Sequence, residues 1–321
     1  MADVTYQPAV YRKQGGNTLV VASGGQILVE PGGSVMGGNP TGAADYFVDL
    51  NVSATGDGSM GSPFATIAEA ITASNTSIGL TANRWWARRN RIFVMGDGID
   101  EDLTVLPEKC DIIGCGSDLF PFPRIIGNHT FAAAAVGTRF INMGFYTSAT
   151  GDLMVFPAGC HGLQILNCFM HPGTTSTKAL EITDSAHVRI IGNEITVGAG
   201  SASVIFGVGI SIEGSASIHD TVIEDNLIYG TVGVHVVEAA AAAFGSRINR
   251  NLIRATGFCI NEASDDFMIT NNTMISDAAD DGTGTGGSAL AVNCSILLAA
   301  GNRLTCSGDY NAPYPPQATL S

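Results

Sequence analysis

The sequence is short of charge. Asp, Glu, Lys and Arg make up 14% of its 321 residues, against roughly 25% in an average soluble domain. Bases are the scarcer sign, with 15 Lys and Arg against 29 Asp and Glu. The resulting net charge of −14 repels phosphate backbones and anionic headgroups, so neither a nucleic-acid nor a membrane partner is expected. Long apolar runs are missing as well. Runs such as residues 131–136 and 239–244 fall far below the roughly 20 residues that a membrane span needs. The start, Met1-Ala2-Asp3-Val4-Thr5-Tyr6, has neither the basic nor the apolar region of a secretion signal, so synthesis in a reducing cytoplasm is expected. The seven cysteines (Cys110, Cys115, Cys160, Cys168, Cys259, Cys294 and Cys306) are odd in number and lack metal-ligand spacing. They read as buried or idle thiols, and no metal or cofactor is expected.

What the sequence does have is glycine, 40 residues of it, and internal repetition. A segment of the form apolar-x-x-Asn-x-apolar occurs at residues 190–195, 223–228, 248–253 and 269–274, with looser copies ending at Asn142, Asn167 and Asn302. The seven Asn positions 142, 167, 193, 226, 251, 272 and 302 are separated by 25, 26, 33, 25, 21 and 30 residues. A second segment with β alternation precedes most of them, as at residues 154–156, 180–182, 210–212, 234–236, 258–260 and 290–292. Each unit thus carries two short strands, and a unit of that size cannot bury its own apolar face. Stacking the units in parallel places Ile over Ile and closes a core. The repeated Asn fits a tight turn that tolerates left-handed geometry, or an amide ladder between coils. Ile190, Ile212, Val236, Ile253 and Ile269 are the expected core. The longer steps, before Asn226 and Asn302, are read as loops pushed out of one turn.

The flanks of this region differ from it. Residues 62–71 predict a helix near 63–73, with Ser62 as N-cap, Pro63 at the first turn, and Phe64, Ile67, Ala68 and Ile71 on one apolar face. Such a helix suits a lid over the open end of a solenoid. Residues 19–35 repeat with a period of eight: Leu19, Ile27 and Val35 correspond, as do Val21 and Val29, with Gly-Gly pairs between them. Strands this short are marginal alone, so residues 1–44 are read as an assembly or anchor segment. Residues 45–306 form the solenoid and 307–321 a tail. The fold class is all-β: a right-handed parallel β-helix with an N-terminal capping helix and a Gly-rich anchor.

The stretch from Tyr46 to Asn51, followed by Gly56, Gly58, Gly61, Ser62, Pro63, Phe64 and Ile67, resembles the opening motif of pectate-lyase-like β-helix proteins. Residues 103–126, with Ile112, Gly114, Ile125 and Gly127 close by, resemble their first coils. That family includes many bacteriophage tailspikes and other virion surface proteins, and residues 10–33 look like the start of small phage structural proteins. The resemblance implies a non-enzymatic virion protein of a tailed phage, decorating or projecting from the head. Its partners would be the capsid shell and copies of itself, with a trimer favoured. The alternative it implies is a tailspike-like protein that binds or depolymerises host polysaccharide.

Fold alone does not give chemistry. The sharpest catalytic candidates are Glu213, Glu238 and Glu262, which follow strands in successive coils. In register they would place carboxylates at glycosidase-like separations, and otherwise they are solvated strand ends or partners of residues such as Arg247 and Arg250. The acidic pairs Asp265-Asp266 and Asp280-Asp281 read as solvated turns. His219 and His235 have no visible triad partner, and His235 is expected on the outer face. Trp85 and Trp86, among Arg84, Arg88, Arg89 and Arg91, read as a packed connection. An enzyme is not the favoured expectation.

Overall fold

The structure, a computed structural model, describes residues 10–12, 19–21, 43–78, 88–96, 98–116, 123–147, 149–173, 176–197, 204–214, 218–238, 245–262, 267–276, 290–292, 298–300 and 303–306. The chain divides into two compact units, Met1–Pro40 and Thr41–Ser321. In the first, Val10–Arg12 and Leu19–Val21 pair antiparallel. Leu19 and Val21 lie in that pair, whereas Ile27, Val29 and Val35 fall outside the described residues, as does the tail 307–321.

The second unit is a parallel β-helix. Strands pair in parallel with their equivalents in neighbouring coils and form three faces, the first beginning at Asp45–Asp49, the second at Ile99–Asp100 and the third at His129–Thr130. In one full coil Arg189–Ile191 lies on the first face, Glu194–Ile195 on the second and Phe206–Gly214 on the third. The expectation of two strands per unit is corrected by this count. Only Gly192 and Asn193 separate the first strand from the second, so the apolar-x-x-Asn-x-apolar segment is a corner with a strand on either side. Leu227–Glu238 runs through the next corner without a break and joins the second and third faces.

Each face contributes apolar rows to the core. The first face stacks Ile112, Phe140, Ile165, Ile190, Ile223, Ile248 and Ile269. The second stacks Ile125, Phe145, Met170, Ile195, Ile228, Ile253 and Met274. On the third, Phe156, Ile182, Ile212 and Val236 are in register. All of these side chains are fully buried, including the five expected core residues.

Among the described residues, six of the seven repeated Asn occupy two adjacent columns. Asn142 and Asn167 share a column with Gly192, Asp225, Arg250 and Asn271, and every one has φ between 51° and 70°. That column makes the left-handed bend from first to second face. One residue later, Asn193, Asn226, Asn251 and Asn272 form a buried amide ladder. The Oδ1 of Asn226, Asn251 and Asn272 each accepts both the backbone N–H and the Nδ2–H of the Asn one coil earlier, at 2.9–3.0 Å. Each Nδ2 also donates to a carbonyl, those of Ile165, Ile190, Ile223 and Ile248 in turn. Met143 and Cys168 hold this column in the earlier coils, and the ladder ends where the Cys168 N–H donates to Asn193 Oδ1. Asn302 lies outside the described residues.

The helix runs from Ile67 to Ile78, starting and ending later than expected. Its cap is Thr66, not Ser62: the Glu69 N–H donates to Thr66 Oγ1, and the Thr66 N–H donates back to Glu69 Oε2, a reciprocal capping box. Phe64 instead bridges to Val48. The Glu101 carboxylate accepts from the N–H groups of Ile67 and Ala68, where the positive end of the helix dipole favours an anion. The buried stripe is Ile67, Ala70, Ile71 and Ser74, and Ala68 faces solvent. Ile67, Ala70 and Ile71 are continuous with the solenoid core.

One core position is a titratable group. His129 stacks below Met154 and Leu180 on the third face and is fully buried. Its Nδ1 accepts the Leu103 N–H at 3.1 Å, its ring meets Phe145 edge-on, and burial pushes its pKa down to about 4. The unfolded chain binds a proton near the ordinary value of 6.5, so it takes up the proton first as pH falls, and stability is lost between those two values. Between pH 7 and pH 5 the loss from this residue should be about 2 kcal/mol. Denaturant melts of the protein and of His129→Leu at the two pH values check this. The substitution should flatten the slope by that amount, and equal slopes would contradict it.

Candidate functional site

The outer flank of the third face gathers the polar chemistry, and a corner in the strands explains how. In a regular strand Lys178 and Glu181 would point to opposite sides. In Ser176–Thr183, however, the consecutive residues Ala179 and Leu180 are both buried, so the alternation skips and Lys178 and Glu181 emerge on the same side. The corner demands small residues. Ala179 is followed along the stack by Gly209 and Gly233, between the paired positions 178/208/232 and 180/210/234. A Cβ on Gly209 would collide with Ile228 and the Gly233 carbonyl, and one on Gly233 with Ile253 and the Cys259 carbonyl.

Lys178 Nζ sits between two carboxylates, 2.6 Å from Glu181 Oε2 and 2.5 Å from Glu213 Oε1. Ser211 Oγ donates to the same Glu213 oxygen at 2.8 Å. Glu181, Ser211 and His235 are in one column, with Asn261 next. Burial raises the Glu213 pKa, but hydrogen bonds from Lys178 and Ser211 outweigh it, so Glu213 is held below the usual carboxylate range. Burial likewise works against the charge on Lys178, and its two carboxylate partners overcome it. His235 is pushed down, by burial first. Asp152 goes the other way: burial, reinforced by Glu181, raises its pKa, and its buried Oδ1 has no hydrogen-bond partner. The flank therefore holds one carboxylate whose pKa is raised near another whose pKa is lowered.

The three expected glutamates do not form one column. Glu213 pairs with Val237, Glu238 with Gly214, and Glu262 with Val236 and Val292. They occupy three neighbouring columns, so the in-register acidic row is corrected; unequal loop lengths between coils offset the strands. Arg247 and Arg250, the partners considered for these glutamates, are engaged elsewhere among the described residues. They pair with Glu224 and Asp225.

No family model and no curated protein matches this chain. Among solved structures, a pectate lyase, Pel9A, is 12% identical, covering 84% of this chain and 80% of its own, with a TM-score of 0.43. The DFA-IIIase of Arthrobacter chlorophenolicus A6 is also 12% identical, covering 85% and 87%, with a TM-score of 0.37. The strand register remains the basis for the fold.

Lys178, Glu181, Ser211 and Asp152 were missed in the sequence. Their only sequence signal is the pair of adjacent apolar residues, Ala179 and Leu180, interrupting an alternating strand. His235 does face outward, between buried Val234 and Val236. His219 has neighbours after all: Asp220 beside it and His187 from the preceding coil. Arg88, Arg89 and Arg91 bind the Ser77 carbonyl, Asp111 and Asp45 respectively, whereas Arg84, Trp85 and Trp86 lie outside the described residues, as do the two Asp pairs. Cys110, Cys160, Cys168 and Cys259 are buried thiols outside any disulfide, and Cys115 is exposed. Burial pushes Cys110 and Cys168 up to about 12, which makes them unreactive. Cys294 and Cys306 have no described side chains.

Proposed function

We propose that this chain is a non-enzymatic structural protein of a tailed-phage virion, a right-handed β-helix that decorates or projects from the head. The helix Ile67–Ile78 would serve as the lid of the first coil. Residues 1–44 would be the anchor, using Leu19, Val21, Ile27, Val29 and Val35 against the capsid shell, with a trimer as the favoured oligomer. The observation that carries this reading is the division of the chain into a small N-terminal unit with its own strand pair and a long solenoid. Particle attachment and display call for two such parts. The protein would be made in the host cytoplasm and end on the virion surface. Deleting residues 1–40 should leave a folded, soluble solenoid that is absent from purified particles when produced alongside the shell proteins. Mass spectrometry of those particles decides it, and normal incorporation of the truncated chain would sink the anchor.

A second reading is favoured by the outer flank: a protein that binds or depolymerises host polysaccharide. Its support is the opposed bias of Asp152 and Glu213 around Lys178, the kind of split that separates a general acid from its partner. The leading reading expects no release of reducing ends from host capsular or lipopolysaccharide glycans by the wild-type protein. It also expects Glu213→Gln combined with Glu238→Gln to change nothing. Release that drops at least about 100-fold in Asp152→Asn, as loss of a general acid would cause, would replace the structural reading with the enzymatic one.

A further inference from the structure

The turn from third face to first brings together residues that the strand pattern does not mark. His187 comes from one coil and His219 with Asp220 from the next, tied by the hydrogen bond from the His187 N–H to the His219 carbonyl at 3.0 Å. His187 Nδ1 is 3.3 Å and His219 Nδ1 3.1 Å from the same oxygen, Asp220 Oδ2. The two rings stand edge to face with centroids 5.2 Å apart. One donor atom from each of the three residues lies within 4.8 Å of the others.

We propose that His187, His219 and Asp220 form a surface site for a divalent transition-metal ion of the zinc class. Zinc bonds of about 2.0–2.1 Å to imidazole and carboxylate set ligand separations near 3.3 Å in a tetrahedron. The two nitrogen–oxygen distances, 3.3 Å and 3.1 Å, lie near that edge, and the third pair of donor atoms lies within 4.8 Å. Two imidazoles aimed at one carboxylate oxygen also make a donor set of intermediate softness, which selects zinc, nickel or copper over calcium or magnesium. The surroundings supply order. His161, one coil earlier, has its Nδ1 occupied by the Ala186 N–H at 3.0 Å, so it lines the site and is not counted as a ligand. All three ligands are partly exposed, so an ion has direct access and solvent can complete its shell. Bound there, the ion would clip two successive coils together across residues 187 and 219. This assignment is independent of the virion reading.

The test uses the full chain stripped with a chelator and titrated with zinc by calorimetry. One ion per chain is expected, with affinity falling at least about tenfold in each of His187→Ala, His219→Ala and Asp220→Asn, as loss of a ligand or its support does. Cys115→Ser should bind as the wild type does, which sets aside the exposed thiol. X-ray absorption of the zinc-loaded wild-type protein reads the shell without any variant, so a substitution that fails to fold does not blunt the test. Two imidazoles with oxygen donors support the site. A sulfur shell, a shell of water alone, or affinity unchanged in His187→Ala and His219→Ala overturns it.

Discussion

Ile253→Asp should yield no soluble, folded protein. Ile253 is fully buried in the second-face row between Ile228 and Met274, and it also closes the corner at Gly233. The substitution removes a side chain whose loss from a core costs about 2–5 kcal/mol. It also places a carboxylate with no partner where desolvation costs several kcal/mol more. Together these rival the whole stability of a domain, about 5–15 kcal/mol. Ile253→Val is the control, since it keeps the shape and should cost about 1 kcal/mol. Soluble expression with circular dichroism checks both, and an Asp variant that melts like the wild type would show the second-face register to be wrong.

Asn226→Ala should be strongly destabilising, though short of preventing folding, while removing no charge and little volume. Asn226 Oδ1 takes two hydrogen bonds from Asn193, and its amide gives two, to Asn251 Oδ1 and the Ile190 carbonyl. Truncation leaves two buried donors and two buried acceptors short of a partner, in a ladder whose members are all buried. At about 1–3 kcal/mol for a group left unsatisfied, with partial relaxation, a loss of about 4 kcal/mol is expected. A solenoid is coupled mainly between neighbouring coils, so the damage should be local. Amide hydrogen exchange should accelerate at Asn193, Asn226 and Asn251 before it does at residues 139–146. Asn142→Ala supplies the contrast. That residue bends the chain from the left-handed column, so its loss is a backbone penalty of about 1 kcal/mol. Equal costs at 142 and 226 would mean that the division into two columns is mistaken.

The helix shows why local reading carried part of the way. Its apolar stripe through Ile67 and Ile71 was visible as a 3.6-residue period. Its start was displaced because Ser62-Pro63 imitates a cap, while Thr66 and Glu69 form the one that closes hydrogen bonds. The glutamates show the opposite case. Glu213, Glu238 and Glu262 look equivalent by distance from the preceding strand, yet each lands in its own column.

By itself the sequence determined the stacking. Apolar residues recurring with a strand period, in units too small to bury themselves, have one economical solution, and the Ile rows at 190, 223, 248 and 269 follow from it. Tertiary structure alone decided which polar residues meet. A one-residue offset at a corner separates Asn167, which bends the chain, from Asn193, which joins the ladder. Two adjacent buried residues, Ala179 and Leu180, swing Lys178 round to Glu181 and Glu213. A turn places His187 beside Asp220, 33 positions further along the chain. Core rows are set by hydrophobicity averaged over many coils, which tolerates such offsets. A polar site depends on single atoms within about 3 Å of each other, and that register exists only once the coils have closed on one another.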